Sequence, residues 1–240
     1  MFEDMADKIA NFRMPMDGDD KHRNWSWHHC YNFFQRYAND GVRDQNSRDL
    51  ACLHLGFYLA SWGMYRNSFI LYKDYKVFEG IVEIILSQEY EEIWDPNYYN
   101  PLLAAEDEIT VRSDEVIGVF GLYQDIKQYF DDQTFIRDFA NPLEQHAKAT
   151  DTLVTKIMLG TMCCTPAYDS ILKKGLRAKN IRYRSNFNER SLASLLEACR
   201  RENLLERISA LNLDGEYPIM KLVDMYFWEV GLEAPAAEDQ

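Results

Sequence analysis

Arg66-Asn67-Ser68 is the sharpest polar break in this chain, set between the apolar runs on either side of it. An arginine beside an Asn-Ser turn offers a guanidinium, a hydroxyl and, where a helix starts, free backbone N–H groups. That is the donor set a phosphate or carboxylate takes. Trp62 lies one turn before the break and Lys73 one turn after it, so Arg66, Asn67, Ser68, Trp62 and Lys73 are the candidate binding residues for an anionic small molecule. The plainer reading is a capped turn whose arginine pairs with one of the 39 acids. A second basic feature holds Lys173, Lys174, Arg177, Lys179, Arg182 and Arg184, with no acid between Asp169 and Glu189. With Tyr183 and Phe187 it suits single-stranded nucleic acid or an acidic surface on a protein partner. As an ordinary charge run it is a solvated face.

The histidines suggest other chemistry. Arg23 precedes His28 and His29, and Arg48 precedes His54. This Arg-x4–6-His pattern resembles the motif of HEPN-type ribonucleases, which are helical proteins. The resemblance implies a metal-independent reaction in which His28 or His54 moves a proton at a ribose 2′-hydroxyl and Arg23 or Arg48 stabilises the phosphate charge that develops. Both pairs lie early in the chain, whereas the family's motif usually lies late in its domain, and roughly one such spacing arises by chance. His22, His28, His29, Cys30, Cys52 and His54 also raise the question of zinc, which takes four N or S ligands. Cys52 and His54 diverge by about 200° on a regular helix. No metal or other cofactor is therefore expected.

The elements that must position these groups are helical. Of 240 residues 47% are hydrophobic and 14% aromatic, while Gly and Pro number only 11 and 7, which excludes disorder and most turn-rich β architectures. A net charge of −13 makes this an acidic protein that anionic lipid and nucleic-acid backbones repel as a whole. Neither a signal sequence nor a membrane segment is expected, since the start is acidic and the longest apolar run, Leu50–Tyr65, is shorter than the roughly 20 residues a span needs. Five cysteines without a CxxC pair read as buried reduced thiols, which places the chain in the cytoplasm.

Periodicity places helices over Phe2–Phe12, ending at Met14-Pro15, and over Asn24–Asn39. A buried helix is expected from Ser47, as N-cap, to about Tyr65, with Gly56, Ala60 and Gly63 letting another backbone approach; a second is expected from Ser68 to Glu92. Residues 97–110 read as an ordered loop, a possible lid or internal boundary. Ser113 or Asp114 opens a helix to Phe130, a short helix follows near Phe135, and Asn141-Pro142-Leu143 opens another through His146 toward Met162. Thr165-Pro166 is the expected cap of a helix over 167–174 that Gly175 stops. Helices from Asn188 or Ser191, from Asn203 to Asp214-Gly215, and from Pro218 to Val230, closed by Gly231, complete the chain. The whole reads as a single all-α domain of nine or ten helices over residues 1–232, with an acidic, disordered tail over 233–240.

Three stretches, LASWGMYRNS at 59–68, TKIMLGTMCCTPAYD at 155–169 and YPIMKLVDMYFWEVG at 217–231, resemble motifs of a family of uncharacterised bacterial proteins. The resemblance implies a helical fold and a cytoplasmic location, and it carries no activity. What the residues themselves support is a binding or regulatory module for an anionic small molecule or a partner protein.

Overall fold

The computed structural model describes residues 1–41, 43–211 and 217–235. Eleven α-helices lie among them: α1 (Met5–Gly18), α2 (Trp25–Asn39), α3 (Gln45–Ser61), α4 (Glu79–Ile85), α5 (Asn100–Ala104), α6 (Asp114–Asp131), α7 (Asp151–Thr161), α8 (Ser170–Ala178), α9 (Glu189–Arg201), α10 (Leu204–Ala210) and α11 (Ile219–Glu233). One antiparallel hairpin, β1 (Thr134–Ile136) with β2 (Glu144–His146), joins α6 to α7 and pairs Thr134 with His146. The described residues form one all-α domain, and none of its helices is long and apolar enough to cross a membrane.

Two glycines set the closest helix pairing. A Cβ on Gly175 would lie 1.9 Å from the Phe227 carbonyl oxygen, and one on Gly231 would lie 2.0 Å from that of Ile171, so α8 and α11 meet backbone to backbone. Both glycines therefore sit inside their helices and not at the stops expected of them. The true start of α8 is Asp169, whose carboxylate accepts the N–H groups of Ile171 and Leu172 at 3.0 and 2.9 Å. Thr165-Pro166 belongs instead to a buried, non-helical crossing over residues 162–168. Buried peptide groups need partners. Ala167 N–H donates to Asp224 at 3.0 Å, Tyr168 N–H to Thr155 Oγ1 at 2.9 Å, and the Tyr99 hydroxyl donates to the Cys164 carbonyl at 2.7 Å. Asp224 also takes the Lys221 ammonium at 3.1 Å, and that ammonium lies over the rings of Phe12 and Trp27.

Several expected boundaries move. Helix α1 runs through Pro15 to Gly18, because the buried stripe of Ile9 and Phe12 continues to Met16 while the proline faces solvent. Asp44, not Ser47, caps α3 by accepting the Ser47 N–H at 2.7 Å. The helix expected from Ser68 to Glu92 breaks into 3₁₀ turns over 69–72, 75–78 and 88–94 around the short α4. Its side chains explain this: Ser68 and Asp74 accept the N–H groups of Ile70 and Lys76, local bonds that compete with helix continuation. The hairpin replaces the short helix expected near Phe135 and the first part of the helix expected from Asn141 toward Met162, whose remainder forms as α7. Residues 97–110 hold α5, and Ile109 N–H donates to Glu197 at 3.0 Å, which ties this stretch to α9. Gly56 meets the Tyr65 hydroxyl and the Phe78 ring, not a second backbone, while Leu50, Leu53 and Phe57 form an exposed stripe on α3. The Asp214-Gly215 stop and all but the start of the expected tail lie outside the described residues.

Candidate anion-binding site

The Arg66 turn follows from how α3 ends. Trp62 is the residue that caps that helix, Gly63 takes φ +74°, and two bonds close the end: Gly63 N–H to the Ala60 carbonyl and Met64 N–H to the Leu59 carbonyl, both at 2.9 Å. This is the glycine-dependent helix stop in which the first residue past the cap is left-handed. A second left-handed residue, Asn67 at φ +58°, bends the chain again, and Ser68 N–H donates to the Tyr65 carbonyl at 3.2 Å. Asparagine tolerates that conformation better than other non-glycine residues. The two reversals turn Arg66 and Asn67 out to solvent.

The hairpin meets this turn. Phe135 points inward from β1 and packs against Phe69 and Tyr72, with ring centroids 6.3 and 5.6 Å away. Arg137 lays its guanidinium over the Tyr72 and Phe135 rings at 5.9 and 6.0 Å, which holds the charge at the rim. After β2 the chain is pinned to α6, since Ala149 N–H donates to Asp131 at 2.8 Å and Lys127 donates to the Ala149 carbonyl at 2.9 Å. Lys148, the residue before this anchor, is exposed. Thr150 then caps α7 by accepting the Leu153 N–H at 3.2 Å.

Turn, hairpin and the start of α7 together enclose a cavity of about 360 Å³. Arg66, Asn67 and Ser68 line one side; Arg137, Gln145, His146 and Lys148 line the other; Phe69, Phe135 and Leu153 contribute apolar surface. Among the described residues no Asp or Glu lines it. Among the described residues none of Arg66, Arg137 and Lys148 pairs with a carboxylate. The Ser68 and Thr150 hydroxyls accept backbone N–H bonds, which leaves their own protons free to donate. What the lining offers a bound group is donors and positive charge.

The structure brings Arg66, Asn67 and Ser68 together in this cavity and leaves Trp62 and Lys73 out of it. Trp62 instead carries the charges of Lys156 and Arg23 against its ring, at 4.7 and 4.9 Å, and Lys156 pairs with Asp169 at 3.2 Å. Lys73 ends the 3₁₀ turn over 69–72. That turn is too short to supply the helix N-terminus expected after Ser68. The residues that sequence reasoning missed are Arg137, His146 and Lys148, because the hairpin was read as helix. A signal was present: a β-branched and aromatic run, Thr134-Phe135-Ile136, before Asn141-Pro142.

Neither Arg–His pair converges. His28 is wedged among Trp25, Trp27 and Tyr217, 3.2 Å from the Tyr217 hydroxyl, and burial together with the charge of Lys221 lowers its pKa to about 4. Arg23 lies on Trp62. His54 stacks on Phe33 at 4.1 Å, with its pKa lowered by burial, while Arg48 pairs with Glu83 at 3.3 Å. All five cysteines are buried free thiols, and among the described residues no group of three or more His, Cys, Asp or Glu is placed to hold a metal ion.

The basic stretch does not form one patch. Lys173 lines a second cavity beside α7, Lys174 and Arg177 are exposed on α8, and Lys179 pairs with Asp4 at 3.7 Å. Arg182 and Tyr183 line another cavity, of about 510 Å³, together with Glu108 and Glu202. The chain matches no protein-family model, no curated protein and no solved structure, so residue roles rest on this geometry.

Proposed function

We propose that this chain is a binding or regulatory module that takes an anionic small molecule into the cavity between the Arg66 turn and the hairpin. One observation carries the reading: in a chain of net charge −13, this cavity gathers two arginines, a lysine and a histidine with no carboxylate among its described lining residues. Unpaired like charges held close together destabilise a fold unless something neutralises them, and a bound anion does so. The volume falls in the range of small-molecule sites, roughly 300–1,000 Å³. Apolar surface from Phe69, Phe135 and Leu153 beside the charges lowers the local dielectric and strengthens each contact.

Thermal unfolding with inorganic pyrophosphate as the probe tests it. A ligand that binds only the folded state raises the melting temperature. Wild type is expected to show this rise, as is Lys73→Ala, whose side chain lies outside the cavity. Arg66→Ala and Arg137→Ala should melt near wild type without pyrophosphate and lose most of the rise, since each charge-assisted contact is worth about 1.5–3 kcal/mol, roughly ten- to hundredfold in affinity. An Arg66→Ala protein that melts several degrees lower yet keeps the full rise would show a structural arginine and end the proposal.

A further inference from the structure

A second cavity, of about 720 Å³, adjoins the first. The two share Lys148, Thr150 and Thr152, so the start of α7 forms the wall between them. Lys173, from α8, adds a further charge on the far side, and Asn186 and Asn188 add polar side chains. Its other charges are already committed. Lys127 pairs with Asp131 at 3.0 Å, and Asp151 accepts from the Tyr123 hydroxyl at 2.7 Å and from the Phe187 N–H at 3.0 Å. Among the described residues that leaves Lys148 and Lys173 as the cations without a carboxylate partner here, with Lys148 common to both cavities.

We infer that the two cavities are subsites of one ligand, an oligophosphate, with one phosphoryl group between Arg66, Arg137 and Lys148 and another between Lys148 and Lys173. This rests on the proposed anion site and extends it. A single phosphate or carboxylate in the first cavity leaves Lys173 unmatched, whereas a phosphate chain carries a charge at every unit and can follow the line of cations. The N-terminal end of α7, an eleven-residue helix, adds a positive dipole end at the shared Thr150, which Asp151 in its first turn partly offsets. Guanidinium donors in the first cavity and ammonium donors in both suit phosphoryl oxygens.

Calorimetric titration of the full chain with tripolyphosphate tests this. Wild type should bind one tripolyphosphate per chain, more tightly than orthophosphate. Arg66→Ala and Lys173→Ala should each weaken tripolyphosphate by about tenfold, and Lys174→Ala, one residue away and outside both cavities, should match wild type. If Arg66→Ala weakens binding while Lys173→Ala matches wild type, the second cavity is not a subsite and the first stands alone. If Lys174→Ala weakens binding as much as Lys173→Ala, the effect is general electrostatics and the subsite assignment is overturned. If neither Arg66→Ala nor Lys173→Ala changes affinity, the first cavity fails with the second.

Discussion

Replacing Asp224 should cost more stability than almost any other single change, and the structure gives the reason in two parts. Asp224 accepts the N–H of Ala167 at 3.0 Å with one oxygen and the ammonium of Lys221 at 3.1 Å with the other. Lys221 is 2% exposed, so its charge has no route to water. Removing one member of a buried ion pair costs about 3–5 kcal/mol, and leaving a buried backbone N–H unpaired costs about 1–3 kcal/mol more. Asp224→Ala loses both and should destabilise by about 4–8 kcal/mol, a large share of the roughly 5–15 kcal/mol that holds a domain folded. Asp224→Asn keeps an acceptor for Ala167 and should lose only the charge, about 3 kcal/mol. The double variant Lys221→Met/Asp224→Asn removes the orphaned ammonium and should recover at least half of the loss seen in Asp224→Asn. Urea unfolding at neutral pH reads all three as midpoint shifts at constant slope. A cost below about 1 kcal/mol for Asp224→Ala, or a double variant no more stable than Asp224→Asn, would refute the reasoning that this carboxylate holds the buried crossing in place.

Gly175→Ala should destabilise by about 3 kcal/mol or more, measured by thermal unfolding, because its Cβ would sit 1.9 Å from a backbone oxygen that cannot move without parting α8 from α11. His28 predicts a pH effect. Its folded pKa of about 4 lies below the ordinary 6.5, so the unfolded chain takes up the proton first and stability falls as pH drops from about 6.5 toward 4, then levels off. Discounted for partial exposure, the loss should be about 1–2 kcal/mol, and urea midpoints at pH 7.5 and 5 should converge in His28→Phe relative to wild type.

The all-α class was legible from the 3.6-residue period of apolar positions, and so was the Asn188 cap, which forms a reciprocal box with Ser191. Gly175 and Gly231 were legible as important but misread as stops. Nothing local distinguishes a helix-ending glycine from one that admits another backbone, since only the partner helix, distant in sequence, decides. The Arg66 turn was visible because its Arg66-Asn67-Ser68 break is local, while Gly63, read as a helix-interior contact, is in fact the left-handed stop of α3. Its hairpin partners were not, because three-residue strands leave too short an alternation to outvote the helical pattern around them. Trp62 was drawn toward the site by sequence proximity; the Schellman-type stop at Gly63 reverses the chain and leaves the indole facing Lys156 and Arg23.

The central claim is that a cationic cavity between the Arg66 turn and the hairpin, with no acid among its described lining residues, receives an anion. Crystals soaked in tungstate, a heavy stand-in for phosphate, test it most directly through an anomalous difference map. The account predicts a peak within hydrogen-bonding reach of Arg66, Arg137 and Lys148, absent in crystals of Arg66→Ala. Tungstate bound elsewhere with this cavity empty, or the same peak undiminished in Arg66→Ala, would contradict it.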